Sequence, residues 1–166
     1  MLRRLLPSLA AILWMAGAGA LEPAPIAADT VEELRFGDFF SRPIGPAGLE
    51  ISSTLRRAAG RRVRLSGYMV QQENPPVGHF LLTPRPVRMS EHADGDADDL
   101  PPATVRVALD PTQQDWRVPH RNGLLTLTGV LSVGREEDGD GRISWVRLQL
   151  APEAVRSLAD HPNPQP

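Results

Sequence analysis

Hydrophobic and polar residues alternate along five short stretches of the chain, which are separated by segments rich in glycine, proline or acidic residues. The first stretch places Val63, Leu65 and Met69 on one face and arginine and other polar side chains on the opposite face. A period of two is typical of a strand with one buried face. The pattern predicts five strands, at residues 61–70, 78–83, 103–109, 124–133 and 143–150.

Short helices are predicted on either side of the strands. Ser52 or Ser53 can cap a helix that Gly60 ends, and a second short helix follows the last strand. Gly67 and Gly129 lie in the middle of strands, where glycine is unfavourable unless the backbone bends sharply or bulges. Bent strands at regular spacing are typical of small barrels. The sequence therefore predicts a mainly β fold, a small five-stranded, OB-like, partly open barrel with short flanking helices, and no helix between strands three and four.

The first twenty residues have the pattern of a secretory signal peptide. Arg3 and Arg4 precede an apolar stretch, and Ala18 and Ala20 occupy the small-residue positions of a cleavage site. We expect cleavage after Ala20 and a periplasmic or secreted protein that meets a membrane only during export.

The rest of the chain divides by composition. An extended lead rich in proline, alanine and glycine is expected to attach to the body through an apolar cluster, Leu34, Phe36, Phe39 and Phe40. The predicted organisation is a signal peptide at 1–20, the lead at 21–46, the OB-like β domain at 47–151, and a short helix with a disordered tail at 152–166.

The amino-acid composition excludes several kinds of catalytic and binding site. The 166 residues include no cysteine and no lysine. This excludes disulfides, thiolate metal sites, thiol nucleophiles and P-loop or Schiff-base lysines. The formal net charge is −2, and cleavage of the leader with Arg3 and Arg4 makes it two units more negative. An acidic exported domain is a poor candidate for binding nucleic acid, which needs a basic surface.

Five segments together resemble a known family. They are GRRVRLSGYMV, FLL, PPATVRV, LTGVL and WVRLQL, and the likeness spans residues 47–150. The chain resembles an uncharacterised family of exported bacterial OB-like domains of unknown function. The resemblance implies a β-rich OB-like fold, no known catalytic residues, and an accessory periplasmic role beside an ABC-type, metal-related transport system.

The chain departs from that family at one point. Many relatives carry a Cys and a His before the proline pair, whereas this chain has EHADGDADDLPP there. A metal or redox role that depends on the cysteine therefore does not transfer to this chain.

An acidic segment offers candidate metal ligands. Alternating carboxylates with a histidine can converge on Ca²⁺ or Zn²⁺, although a solvated loop produces the same pattern. A second acidic turn, residues 135–142, is better interpreted as a hairpin turn. The candidate metal ligands are His92, Asp94, Asp96 and Asp98, with His79 and His120 from elsewhere in the chain.

A basic and aromatic face is the other candidate site. Arginines cluster at the end of the first helix and along the first strand, where a solvated surface is the simpler interpretation. As a functional surface they would form a partner-binding or anion-binding face if strands one, three and five share a sheet. The residues assigned to this face are Arg62, Arg64, Arg106, Arg147, Trp145 and Tyr68.

Three hypotheses for the function follow. The first is a non-enzymatic periplasmic accessory domain without a cofactor, which binds a protein partner such as a transporter component. The second is a periplasmic metal-binding protein that uses the segment 91–99 to hold a divalent ion. The third is a hydrolase; no GxSxG or HExxH motif is present, but catalytic triads are defined by geometry rather than by order in the sequence.

Overall fold

The computed structural model describes residues 30–89, 91–92, 95–96, 100–138 and 141–160. The predicted signal peptide, the start of the lead and the end of the tail lie outside the described residues. Within these ranges, no helix combines the length and the apolar character needed to cross a membrane.

Strands dominate the described part of the chain, in agreement with the mainly β prediction. The strands are β1 Glu32–Leu34, β2 Arg62–Met69, β3 Gln71–Gln72, β4 His79–Thr83, β5 Arg88–Met89, β6 Glu91–His92, β7 Gly95–Asp96, β8 Val105–Ala108, β9 Leu124–Glu137 and β10 Ile143–Leu150. The helices are α1 Ser53–Ala58 and α2 Pro152–Asp160, with 3-10 turns at Phe36–Asp38 and Pro111–Gln113.

The five predicted strands correspond to β2, β4, β8, β9 and β10, and they pair in a ring. β2 pairs with β4 and β4 with β8, both antiparallel, while β8 pairs parallel with β10 and β10 antiparallel with β9. β9 also pairs with β2, from Arg62 opposite Val130 to Tyr68 opposite Leu124, which closes the ring. β1 adds a short parallel strand to β2. The first part of β9 pairs with β2 and its second part, from Gly129 onward, pairs with β10, and β9 continues four residues beyond the predicted end of the strand at Val133.

The core fills the inside of this ring, as the alternation predicted. Every second residue is buried along β2 and β8 and, from Val146 onward, along β10, and Val63, Val107 and Leu148 are fully inaccessible. β4 differs, because four of its five residues are buried. Its outward Leu81 packs with Val70 and Met89 in a second, smaller cluster. The segment between β4 and β8 therefore covers the outside of β4.

The first helix is positioned by its cap. The Ser52 hydroxyl accepts a hydrogen bond from the Leu55 N–H at 3.0 Å, and α1 buries Leu55 and Ala58. Gly60 ends the helix with φ of 77°, a left-handed conformation that glycine adopts without strain. The predicted cap and stop are both confirmed.

The two mid-strand glycines permit close packing. A Cβ at Gly129 would lie 2.4 Å from the Gln149 carbonyl oxygen on β10, and a Cβ at Gly67 would lie 2.6 Å from the Phe36 ring. A missing side chain at these positions therefore lets strand and aromatic ring approach the backbone directly. The sequence singled out Gly67 and Gly129 as positions where the backbone bends or bulges. In the structure, the reason for glycine is the close approach of a neighbouring backbone or ring.

The lead is more deeply integrated than its composition predicted. Leu34 is 1% exposed and Phe39 is fully buried, and both belong to the main core. β1 pairs with β2 along three residues. The packed body thus begins near residue 32 rather than at 47, because apolar side chains in a proline-rich segment still gain by burial.

The other end of the chain also packs against the ring. Val155 of α2 is 1% exposed, and the Gln113 side chain donates to the Pro152 carbonyl at 3.4 Å. Gln113 belongs to the 3-10 turn between the third and fourth ring strands. No helix was predicted there, because three residues are too few to show a helical period.

Candidate functional site

Trp145 projects from the ring beside an irregularity in the β9–β10 pairing. Between the pairs Ser144–Glu136 and Val146–Val133, the single residue Trp145 of β10 lies opposite two residues of β9, which is the mark of a bulge in β9. Val146 points into the core at 2% exposure, whereas Trp145 is 52% exposed. The alternation of inward and outward residues along β10 therefore presents a large aromatic ring to solvent, next to the bulge.

An apolar cavity lies on one side of Trp145. Its volume is about 330 Å³, and its wall combines β10 with the segment that precedes α1. Leu49, on its edge, is 45% exposed. The lining residues are Phe40, Leu49, Ile51, Pro102, Trp145 and Val146.

A smaller and more polar cavity lies on the other side. It has a volume of about 190 Å³ and shares Pro102 and Trp145 with the apolar one. Its polar wall consists of Thr104, Arg106, Asp138, Arg142 and Ser144, and its apolar wall includes the 45%-exposed Ile143. We call the two cavities and the exposed side chains around them the Trp145 surface.

Arg106 and Arg147 lie directly opposite each other in the parallel β8–β10 pair. Like charges in that arrangement repel. Arg106 Nε lies 3.0 Å from Asp138 Oδ2, and Arg147 Nε lies 3.1 Å from Glu136 Oε2. Each of the two arginines thus forms an ion pair with one carboxylate at the end of β9, which offsets the repulsion between the two guanidinium groups.

Arg147 is also a structural residue. Its Nη1 donates to the carbonyl oxygens of Gly134 at 2.9 Å and Ser144 at 3.2 Å. The bond to Gly134 ties β10 to β9 at the bulge, and the bond to Ser144 stays within β10. Arg147 therefore supports the conformation that exposes Trp145.

The structure divides the predicted basic face. Trp145, Arg106 and Arg147 come together on β8 and β10. Arg62 and Arg64 lie on β2, which β9 separates from β10. Tyr68, at the far end of β2, lines a different cavity. Predicted strands three and five, β8 and β10, are hydrogen-bonded to each other. Predicted strand one, β2, pairs with neither of them.

The candidate metal ligands are dispersed in the described part of the chain. Asp94 and Asp98 lie outside the described residues. The backbone of His92 and Asp96 belongs to the β6–β7 ladder, a short antiparallel pair where a loop was expected. Among the described residues, no group of three or more histidine or acidic side chains is placed to hold a metal ion.

The other two candidate histidines contact backbone carbonyls. His79 Nδ1 lies 3.1 Å from the Val77 oxygen at the start of β4, and His120 Nε2 lies 3.2 Å from the Met69 oxygen at the end of β2. The metal hypothesis stays a prediction.

Sequence reasoning missed two parts of the site. Phe40, Leu49 and Ile51 were treated as packing residues or not singled out, and only the fold brings them to Trp145. Glu136 and Asp138 belong to the segment that the sequence predicts to be a hairpin turn. Acidic residues before a hairpin turn and arginines on the strand after it are a weak signal of ion pairs between the two strands. This signal applies to Arg147, which is on the strand after the turn. It does not apply to Arg106, which is on β8.

Comparisons with known proteins add a distant structural likeness. No family model matches the chain, and no curated protein matches it. A solved structure of a DUF3299 family protein from Pseudomonas aeruginosa PAO1 is similar at a TM-score of 0.42 and 19% sequence identity. The match covers 72% of this chain and 92% of that one. DUF3299 designates a family of unknown function.

Proposed function

We propose that this protein is an exported, non-enzymatic accessory domain with an OB-like frame, which binds a protein partner through the Trp145 surface. The observation that carries the proposal is the 52%-exposed Trp145 between two cavities, with exposed Leu49 and Ile143 beside it. Tryptophan is enriched among the residues that dominate binding energy in protein interfaces.

The charges around Trp145 support a protein partner. Interfaces commonly have an apolar centre, few charges there, and a polar rim. Arg106 and Arg147 are matched by carboxylates, so they add polar donors at the rim without a large net charge. A partner that presents apolar side chains to the 330 Å³ cavity fits this distribution.

The connectivity of the ring supports the OB-like part of the proposal. Its third strand, β8, pairs parallel with its fifth, and its first strand closes on its fourth. OB domains bind ligands on the face of their second and third strands and at the loop between the fourth and fifth. Leu81 on β4, Arg106 on β8 and Asp138 in the β9–β10 turn all line the polar cavity beside Trp145.

The sequence supports the cellular part of the proposal. The leader at 1–20 favours export to a periplasm or the medium. The family resemblance favours an accessory role beside an ABC-type, metal-related transport system. The partner we propose is thus an exported or membrane-bound protein that meets this domain outside the cytoplasm.

Crosslinking in the living host tests this proposal. A photo-reactive amino acid at Ile143 should capture one protein, identified by mass spectrometry. Trp145→Ala should abolish the capture, because loss of an interface tryptophan weakens binding by about 2 kcal/mol or more, or about 30-fold. Trp116→Ala is the matched control, since Trp116 is also exposed, at 45%, but lies outside both cavities. Capture that persists in Trp145→Ala, or no capture at all, contradicts the proposal.

A further inference from the structure

A third cavity lies at the other end of β2, and none of its lining residues belongs to the Trp145 surface. Its volume is about 460 Å³, within the range of small-molecule sites. The walls come from the end of β2, from β3 and β5, and from the segment before β9. The lining residues are Tyr68, Met69, Gln71, Pro86, Val87, Arg88, His120, Arg121, Asn122 and Gly123.

The charge of this cavity has one sign. Two arginines and a histidine line it, and the described residues of its wall include no aspartate or glutamate. A cleft lined by charges of one sign focuses the electrostatic field and attracts ligands of the opposite charge. The cavity beside Trp145 differs, because Asp138 there is paired with Arg106.

Both arginines are held in place by neutral groups. Arg88 Nε donates to Gln71 Oε1 at 3.1 Å, across the parallel β3–β5 pair. Arg121 Nη1 donates to the Leu158 carbonyl of α2 at 2.9 Å. A guanidinium has five N–H donors, so each arginine keeps donors for a ligand. Among the side chains that the structure describes, no carboxylate forms an ion pair with either arginine.

One donor in this wall lacks an acceptor. Arg121 Nε is buried and has no hydrogen-bond partner among the described residues. Buried polar groups are nearly always hydrogen-bonded, and those that are not often mark a place for a bound water or ligand. Nε is closed off from solvent, so a ligand does not reach this atom itself, but its missing bond leaves the charge of Arg121 less fully satisfied inside the protein.

His120 also lines this wall. A carbonyl oxygen only accepts, so the bond from Nε2 to the Met69 oxygen requires Nε2 to carry the proton. In the neutral ring Nδ1 is then an acceptor, which suits a hydroxyl or amide donor on the body of a ligand rather than its acid group. The two guanidinium groups in the same cavity attract the negative group of a ligand.

We propose that this arginine-lined cleft binds a small organic anion, with its carboxylate or phosphate group between Arg88 and Arg121 and its carbon body against Tyr68. Guanidinium groups match the geometry of both acid groups. Tyr68, Met69, Pro86 and Val87 form the apolar part of the wall. This proposal does not depend on the function proposed for the Trp145 surface.

Calorimetric titration of the purified protein tests the cleft. The probes are phenyl phosphate, benzoate and inorganic phosphate, with phenol as the neutral control. We expect phenyl phosphate or benzoate to bind more tightly than inorganic phosphate and phenol, and the tighter of the two identifies the acid group. Arg88→Gln should weaken that binding about 10-fold or more, as expected for the loss of a charged hydrogen bond.

Two further variants show whether the loss of affinity is specific to the cleft. Arg56→Gln removes an exposed arginine of α1 that lies outside the cleft, and it should leave the affinity unchanged. Trp145→Ala should also leave it unchanged, which keeps the outcome independent of the partner-binding surface. The melting temperature of Arg88→Gln confirms that the variant is folded. The proposal is wrong if none of the three anions binds saturably, or if Arg88→Gln and Arg56→Gln weaken binding equally.

Discussion

Replacement of Gly129 by alanine perturbs the point at which the ring closes. Gly129 lies opposite Val63 of β2 on one side and opposite Leu150 of β10 on the other. An added Cβ would lie 2.4 Å from the Gln149 carbonyl oxygen and 3.0 Å from its carbon, whereas ordinary contacts begin near 3.4 Å. The atoms in the way belong to the backbone, so no side-chain rotation relieves the overlap.

The size of the effect follows from that overlap. Extra atoms in a packed region typically destabilise a protein by about 1–3 kcal/mol. A displacement of about 1 Å between two paired strands should fall in the upper half of this range. For a domain of this size, we expect the melting temperature to fall by about 10 °C.

Urea unfolding followed by circular dichroism measures the change. Gly37→Ala is the matched control, because nothing lies within 4 Å of the Cβ position at Gly37 and its φ is not in the left-handed region. That substitution should change the free energy of unfolding by a few tenths of a kcal/mol, or stabilise the protein slightly by restricting the unfolded chain. Equal stability of Gly129→Ala and Gly37→Ala would refute the close approach of β9 and β10.

Two further substitutions test the lead and a capped turn. Phe39→Ala should lower the free energy of unfolding by about 3–5 kcal/mol, as for a buried aromatic residue, while Ile44→Ala, at a side chain 65% exposed, should change it by less than about 0.5 kcal/mol; similar values for the two would place the lead outside the core. Asp110 Oδ1 accepts hydrogen bonds from the side chain and the backbone N–H of Thr112, which lower the pKa of Asp110 below its ordinary 3.8. The Asp110 carboxylate therefore stabilises the fold above pH 3.8 and loses this effect as the pH falls through the lowered pKa. In pH-dependent thermal unfolding, Asp110→Ala should be less stable than the parent at neutral pH, and a gap that widens on acidification contradicts the assignment.

Local patterns predicted the parts of this fold that depend on local physics. The alternation of Val63, Leu65 and Met69 identified the buried face of β2, because a strand with one buried face must alternate. Ser52 and Gly60 marked the ends of α1 through hydrogen bonding and backbone conformation. These signals need no knowledge of distant contacts.

The candidate site could not be predicted in the same way. The bulge in β9 opposite Trp145 contains Gly134, whose φ of 142° favours glycine, but a glycine in a strand does not by itself show which residue the bulge faces. The ion pair of Arg106 with Asp138 joins strands whose adjacency depends on the parallel β8–β10 pairing. Phe40 of the lead and Leu49, just after it, reach Trp145 only because the chain before α1 folds back onto the ring. The last two features are tertiary contacts between segments far apart in the sequence.

The pairing of β2 with β9, which closes the ring, also limits how early the fold can form. Ser66 of β2 hydrogen-bonds to Thr126 of β9, 60 residues further along the chain. At synthesis rates of about 5–20 residues per second, β2 emerges roughly 3–12 s before its partner. Folds dominated by such distant pairings also form slowly once the chain is complete. During that interval, β2 has unpaired backbone groups and an apolar face, so the newly made chain is most open to mispairing and most in need of a chaperone before β9 arrives.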